Sequence, residues 1–366
     1  MIAFCLLLGI GMVYIAIQIW QLITLFRYKH HYQPEPAIWP EISILIAARN
    51  EEANIRQCLN SLLNLDYPKD RLHIICGNDQ STDHTGVILA EYSALHPHIK
   101  SVMITDDDSG LKAKARVMAQ LEVYATGEFY LITDADITVK PEWAKFMVRS
   151  MTDEMGVCSG TTVVKSHSKW GTMQEIDWAY FMGMLNIISY NGVPATAVGN
   201  NMIVRSKAYH EVGGYRGIKF SITEDYKLYS EICKKGWKWD NIMQAEVTAY
   251  SAPVCDLTDL LHQRKRWLSG GKELPWYWWV LFGVFGLFYF SIPVLLFIDP
   301  ATGCTLWFIK WLIQTLQIRG IYNQIKEPHP RWHDYLTYEM FITINTILTA
   351  IFSIIPFGTR WKNRTY

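Results

Sequence analysis

FYLITDADI, residues Phe129 to Ile137, decides how the chain is read, because an apolar run that stops abruptly in two carboxylates is hard to explain by packing alone. Phe129, Tyr130, Leu131 and Ile132 show no polar alternation, the pattern of a short inner strand buried on both faces of a parallel sheet. Asp134 and Asp136 then stand at its carboxyl end, where open α/β sheets form their ligand crevice. Two acids so close repel each other unless a cation sits between or beside them. An oxygen-only pair suits Mg2+ or Mn2+, hard ions that keep several waters and take further ligands from substrate phosphates. Asp-X-Asp by itself also fits a solvated turn or a helix cap before Pro141.

Working upstream, Ile42 to Ala48 (ISILIAA) is a second buried strand, and Glu51 to Leu63 carries apolar residues at helical spacing. Leu72 to Cys76 is the next strand, closed by Gly77, Asn78 and Asp79, and Ser81-Thr82-Asp83 opens a helix running to His96. Val102 to Ile104 is a third strand and Lys112 to Tyr124 a third helix, after which Gly127 leads into Phe129. This alternation predicts an α/β fold, a mostly parallel sheet flanked by helices. Its strand ends deliver Arg49 to Glu52, Asn78 to Asp83, Asp106 to Lys112, and Asp134 with Asp136 to one edge.

Downstream, Gly156 to Val164 reads as strands, and Trp170 to Tyr190 as a helix whose aromatic and Met-rich face packs on the sheet, on lipid or on a sugar. Gly199-Asn200-Asn201 is a turn feeding a short strand, Gly213-Gly214-Tyr215 a further turn, and Thr223-Glu224-Asp225 the start of a helix to Lys235. Trp237 to Tyr250 is strand-like. Leu257 to Leu268 is an amphipathic helix carrying His262, Gln263, Arg264, Arg266 and Trp267.

The ends are different in kind. Ile2 to Phe26 is nearly all apolar and long enough, at ~1.5 Å per residue, to cross a ~30 Å hydrocarbon core. Arg27, Lys29, His30 and His31 follow it, so the N-terminus is expected outside and the basic flank in the cytoplasm; neither the charge order nor a cleavage site suggests a signal peptide. Pro34, Pro36 and Pro40 make a stiff linker. Past Trp276, three stretches reach spanning length: Tyr277 to Ile298, Ala301 to Ile318 and Tyr335 to Phe357. Lys310 makes the second marginal, since a mid-bilayer lysine costs ~3 kcal/mol unless it snorkels or meets a partner. Were all three to span, Arg360, Lys362 and Arg364 would end outside, so one of the three is expected to be re-entrant or interfacial. The organisation expected is an anchor over 1–28, a linker over 29–41, a catalytic domain with an interfacial helix over 42–272 and a membrane region over 273–366, in a bacterial inner membrane with the catalytic domain in the cytoplasm.

Composition narrows the chemistry. Lys plus Arg equals Asp plus Glu at 34 each, so no global field recruits nucleic acid, and none is expected as a partner. The seven cysteines, Cys5, Cys58, Cys76, Cys158, Cys233, Cys255 and Cys304, form no CxxC pair and no zinc spacing, which suggests a reducing compartment. The acidic pair, the Thr-Glu-Asp helix start and the Gln-x-x-Arg-Trp helix fit one reaction in their order: sugar transfer from a nucleotide donor. The departing diphosphate needs its growing charge neutralised, by a metal on Asp136 and a cation such as Arg266. The attacking hydroxyl needs a carboxylate to take its proton, and Asp225 is the best-placed one; Asp225 equally reads as a helix cap.

Seven segments carry a resemblance in the same order: IAARNEE, NDQSTDHT, the lysine of LKAKA, TDAD, the GGY turn, TED and QRKRW. Over Ile42 to about Trp267 the chain resembles the family 2 glycosyltransferases, inverting enzymes on a GT-A type nucleotide-diphospho-sugar fold. It looks most like the membrane branch with ceramide and carotenoid glycosyltransferases and, more distantly, cellulose and hyaluronan synthases. The resemblance implies that Ala47 to Glu51, Arg49 included, and Asp79 hold a uridine-like base and ribose, with Lys112 near the nucleotide. It implies a metal and donor site at Asp134 and Asp136, Asp225 as general base with Glu224 beside it on the substrate, and Gln263, Arg266 and Trp267 at the pyrophosphate and acceptor mouth. Two places depart from the family pattern: Arg116-Val117 stand where Leu-Asn is usual, and Asn78 replaces a frequent aspartate.

The partners expected are a nucleotide sugar, a lipid or lipid-linked acceptor, and the membrane. A processive polysaccharide synthase is the rival within the enzyme class. Three apolar segments would enclose a translocation channel only if the chain oligomerises or takes a partner, so transfer of one or few sugars is expected. A membrane nucleotide-sugar-binding protein without turnover is the rival outside that class.

Overall fold

The structure, a computed structural model, describes residues 2–107, 109–355, 360–361 and 364–365. Asp108 of the Asp106 to Lys112 loop and Lys362 of the basic tail lie outside the described residues. In chain order the elements are α1 (Ile2–Arg27), β1 (Ile42–Ala48), α2 (Ile55–Leu63), β2 (Leu72–Asn78), α3 (Thr85–Leu95), β3 (Ile99–Met103), α4 (Ala113–Leu121), β4 (Phe129–Asp134), β5 (Thr138–Val139) and α5 (Trp143–Arg149). There follow β6 (Met155–Ser159), β7 (Thr162–Val164), α6 (Lys169–Tyr190), β8 (Asn201–Arg205), α7 (Ser206–Glu211), α8 (Gly214–Gly217), α9 (Glu224–Lys234), β9 (Lys238–Asn241) and β10 (Ala249–Ser251). The last helices are α10 (Leu257–Gly270), α11 (Trp276–Ile298), α12 (Pro300–Ile325) and α13 (Trp332–Ile354). Packing divides the chain into two units: Lys29–Lys165 with Ile188–Ala252, and Met1–Tyr28 with Ser166–Ile187 and Pro253–Tyr366.

The first unit is built on a seven-stranded sheet in the order β3-β2-β1-β4-β8-β6-β9. β1, β2, β3 and β4 run parallel; β8 enters antiparallel between β4 and β6, and β9 runs parallel to β6. The sheet is therefore mostly parallel, and β4 lies inside it with β1 on one side and β8 on the other. Ile42, Ile44, Ile46, Phe129 and Leu131 are buried in one core with Leu59 and Leu62 of α2 and Leu89 of α3. Each such side chain contributes ~1.5–3 kcal/mol on burial. On β2, a Cβ added at Gly77 would stand 2.6 Å from Val117 Cγ1, so α4 comes close to the sheet only because that residue is glycine.

Three boundaries differ from the sequence reading, each for a physical reason. The third strand is Ile99–Met103 rather than Val102 to Ile104, because an edge strand tolerates the exposed Lys100 that interrupts its apolar pattern. Trp237 to Tyr250 breaks into β9 and β10, which belong to different sheets, β10 pairing with β5 and β7. Gly213-Gly214-Tyr215 opens a single helical turn, with both glycines at positive φ, +76° and +56°.

In the second unit, α1, α11 and α12 pack together: Tyr14 stacks on Phe288 at 4.0 Å, Gly11 lies against Leu306 and Gly320 against Leu25. Gln18 Nε2 donates to the Tyr14 and Tyr180 hydroxyls at 3.1 and 3.0 Å, Tyr180 donates to Gln317 Oε1 at 3.0 Å, and Gln317 Nε2 donates to Gln18 O at 2.9 Å. Such interhelical bonds satisfy polar groups where water is absent. Ala3–Arg27, Trp276–Ile298 and Trp332–Ile354 are long and apolar enough to cross a membrane. α12 is long enough, but Lys310, Gln314, Gln317 and Arg319 dilute its apolar character. Lys310 does not snorkel: it is fully buried, pairs with Glu339 and donates to Gln314 Oε1 at 2.6 Å.

Candidate active site at the carboxyl edge of the sheet

Parallel register aligns the strand ends. Ala47 of β1 stands opposite Gly77 of β2 on one side and Asp134 of β4 on the other, so the residues that follow all three strands emerge side by side, about 4.8 Å apart from strand to strand. Beyond β1, Asn50 adopts φ +51°, its Oδ1 accepting from Thr82 N at 2.9 Å, and the buried Glu51 donates its N–H to Thr85 Oγ1 at 2.7 Å. Arg49 Nη1 donates to Asp79 O at 2.6 Å, and Arg116 Nη2, from α4, donates to Asp79 Oδ1 at 2.9 Å and also pairs with Asp106. The Nε atoms of Arg49 and Arg116 are buried without a hydrogen-bond partner, leaving two donors beside the buried Asp79. Asn78 Oδ1 accepts from Ser81 N at 3.0 Å, so asparagine serves the turn as an uncharged cap.

The second cluster joins β4 to α9. Lys114 Nζ lies 2.6 Å from Asp134 Oδ1, 2.8 Å from Gly199 O and 3.8 Å from Glu224 Oε1. The same Gly199 peptide donates its N–H to Asp225 Oδ2 at 2.8 Å, while Tyr226 N donates to Asp225 Oδ1 at 2.8 Å. Asp134, Glu224 and Asp225 are thus gathered around one ammonium and one peptide, with Asp136 two residues beyond Asp134. Desolvation, with the charge of Asp134 added, pushes the Asp136 carboxyl up to about 6. Burial and the neighbouring Asp225 push Glu224 up to about 7. Burial pulls the Lys114 ammonium down, but Asp134 and Glu224 more than offset it and hold its pKa above the usual lysine value.

The turn holding Gly199 is rigid. Asn200 Oδ1 accepts from Thr162 Oγ1 at 2.8 Å, and Asn201 Oδ1 accepts from Trp143 Nε1 at 2.9 Å while its amide donates to Thr161 O and Val247 O. A Cβ at Gly199 would stand 2.8 Å from Asp225 Cβ and 3.0 Å from its Oδ2. Gly199→Ala is therefore expected to displace the Asp225 carboxylate and to lower turnover ~10–10²-fold without weakening nucleotide binding, as steady-state kinetics beside nucleotide titration would report.

Lys112 sits exposed just before α4 and takes no part in either cluster. Sequence reasoning missed Lys114 and Arg116. The signal was available: in a helix whose other buried positions are Ala, Val, Met and Leu, a buried Arg116 needs a carboxylate, and the nearest strand end supplies Asp79. Gln263, Arg266 and Trp267 lie on α10, in the unit of the terminal helices. There Trp267 packs on Trp178 at 5.0 Å and Phe181 at 6.5 Å, and Arg264 pairs with Asp177, whose Oδ1 accepts from Tyr338 OH at 3.0 Å.

The described residues contain no group of three His, Cys, Asp or Glu side chains able to hold a metal by themselves. The pair Asp134 and Asp136 suits a different arrangement, in which a hard divalent ion takes two carboxylates from the protein and its other oxygens from substrate and water. The donor set fits such an ion.

The profile of glycosyl transferase family 21 matches residues 3–320. "Probable glycosyltransferase YdaM" of Bacillus subtilis (strain 168) is 30% identical over 270 residues, 70% of this chain and 63% of that protein. "Beta-monoglucosyldiacylglycerol synthase" of Nostoc sp. (strain PCC 7120) is 27% identical over 262 residues, 70% of this chain and 55% of that one. The chain thus spans 55% to 63% of the length of these curated relatives. Among solved structures, the mannosyltransferase PcManGT from Pyrobaculum calidifontis in complex with GDP-Man and Mn2+ shares the fold, with TM-score 0.64 and 16% identity over 96% of this chain and 97% of that one. The GT-A type fold and the glycosyltransferase character anticipated from the motifs are both met.

Proposed function

The chain belongs to glycosyl transferase family 21, and on that premise we propose that it moves one sugar, with inversion, from a UDP-linked donor to a membrane lipid or lipid-linked acceptor. The observation that carries this reading is the joining of Asp225 and Glu224 to Asp134 through Lys114 and the Gly199 peptide, at the end of β4. In this reading Ala47, Arg49, Glu51 and Asp79 take the base and ribose, Arg49 and Arg116 position Asp79 for that contact, and Lys112 lies at the rim. Asp225 takes the proton of the attacking hydroxyl, held in place by two backbone N–H groups. The resemblance carried by QRKRW assigns Gln263, Arg266 and Trp267 to recognition of the pyrophosphate and acceptor.

Asp134 and Asp136 would hold Mg2+ or Mn2+, which supplies neutralisation of the departing diphosphate. The solved mannosyltransferase, which holds Mn2+ with its nucleotide sugar, supports that assignment, and the glucosyldiacylglycerol synthase supports a lipid acceptor. Arg27 and the basic residues after α1 support a catalytic unit on the cytoplasmic face of a bacterial inner membrane.

The test is a screen of nucleotide sugars with purified protein and membrane lipid, read by mass spectrometry of the lipid products. A single sugar on lipid is expected, and a long polymer would replace this reading with the processive one. Chelation of divalent ions is expected to reduce donor turnover ~10²-fold or more, with Mn2+ or Mg2+ restoring it; turnover indifferent to chelation would remove the metal from the scheme.

A further inference from the structure

We propose that α13 does not cross the membrane but lies in the plane of one leaflet, on the side where α1 leads into the sheet-bearing unit, its apolar stripe seated in lipid. The helix is long and apolar enough to cross, so the inference rests on where its ends are held.

Three helices set the direction. α1 and α12 run parallel, since Gly11 lies beside Leu306, Gln18 bonds to Gln317 and Leu25 packs on Gly320. α11 is joined to α12 by Asp299 alone and runs the other way. The carboxyl ends of α1 and α12 and the amino end of α11 therefore share a side. α10 leads into α11 at that side, and Gln263, Arg264, Lys265 and Arg266 keep it out of the hydrocarbon.

Two adjacent residues of α10 are then tied to α13 at widely separated points, Lys265 directly and Arg264 through Asp177 of α6. Arg264 pairs with Asp177, which accepts from Tyr338 near the start of α13. Lys265 Nζ donates to Ile355 O, just past its end, at 2.6 Å, a cation on the negative pole of the helix. Tyr338 and Ile355 are ~25 Å apart along a helix axis, most of a ~30 Å hydrocarbon core. A crossing helix would carry one of them away from the charged α10. Holding both requires α13 to lie along it.

The side chains agree. Trp332, Leu336, Met340, Ile344, Ile351 and Ile354 are exposed along one stripe, while the polar Tyr338 and Asn345 are buried on the other face. That is an amphipathic helix with its polar face turned to protein, as in an interfacial helix resting on its own domain. On α11 too, Phe282, Leu287, Phe290 and Phe297 are exposed.

The test uses the full chain in proteoliposomes. Cys5, Cys255 and Cys304, which are exposed, are replaced by serine, and single cysteines at Leu336, Met340, Ile344, Ile351 and Ile354 carry spin labels whose depth is read from oxygen and nickel-chelate accessibility. All five are expected at one depth within ~5 Å. A steady progression of ~1.5 Å per residue along the helix would overturn the proposal. A second readout leaves the helix unsubstituted: a protease-cleavable tag after Tyr366 should be removed from the same side as a cleavage site placed in the proline-rich linker over 33–41, and removal from the opposite side would overturn it. Neither readout depends on the chemistry assigned to the sheet edge.

Discussion

Asp225→Asn is expected to lower sugar transfer ~10²–10⁴-fold, the usual worth of a positioned general base, while nucleotide binding and the thermal midpoint stay near those of the parent. Asparagine keeps the shape of the side chain and one oxygen to accept from Gly199 N or Tyr226 N, which lie 2.8 Å from the two carboxylate oxygens. What it loses is the basic oxygen that would receive the proton. The structure overturns the cap expectation, since Thr223 holds the N-cap position and Asp225 is the second residue of α9; the remaining rival, an acid stabilising the first turn of that helix, predicts the opposite division: its loss costs ~0.3–1 kcal/mol of stability and leaves per-molecule turnover unchanged. Measuring kcat, donor affinity and the thermal midpoint on the same preparation separates the two. Full activity in Asp225→Asn would place the base on another residue, and a donor affinity that falls with kcat would make Asp225 a binding group.

The strands whose ends build this site were legible because they are inner strands. β1, β2 and β4 are buried on both faces, so they appear as apolar runs interrupted only at Ser43 and His73 before their carboxyl ends, and Asp134 is conspicuous where such a run stops. β3 was misplaced because, at the edge of the sheet, it exposes Lys100 and Met103, and no apolar run marks it. Of the site, the carboxylates were legible and their cation was not. Lys114 and Lys112 stand two residues apart in LKAKA, and nothing local to that string says which of them meets Asp134, since the partners Gly199 and Glu224 come 85 and 110 residues later. Long-range ion pairs depend on register and packing that a local pattern does not carry.

The same limit applied to the membrane end. Lys310 reads in the sequence as a defect in a spanning helix, because its partner Glu339 lies on the following apolar stretch. Burying either residue alone would be costly, and the pair makes α12 acceptable in an apolar surrounding only together with α13. Length and apolar content count residues one helix at a time, so they undervalue α12.

Lys114→Met should reveal how much the unliganded site depends on a resident cation. The ammonium is 12% exposed and touches Asp134 and the Gly199 carbonyl, with Glu224 3.8 Å away. Its removal leaves Asp134, Asp136, Glu224 and Asp225 crowded without a countercharge. Losing one partner of a buried pair costs ~3–5 kcal/mol, but Asp134 is 38% exposed and water screens it, so ~2–3 kcal/mol is expected, a fall of roughly 5–10 °C in Tm. Lys114→Arg, which keeps the charge, should lose less. The substitution also opens the Asp134 oxygen that Lys114 occupies. If a divalent ion and the lysine compete for that oxygen, Mn2+ will raise Tm more in Lys114→Met than in the parent, because tighter binding to the folded state stabilises it by mass action. Equal shifts in the two proteins would mean that the ion binds through Asp136 without displacing the lysine, and a midpoint unchanged by the substitution would show that the carboxylates share their charge with water rather than with Lys114.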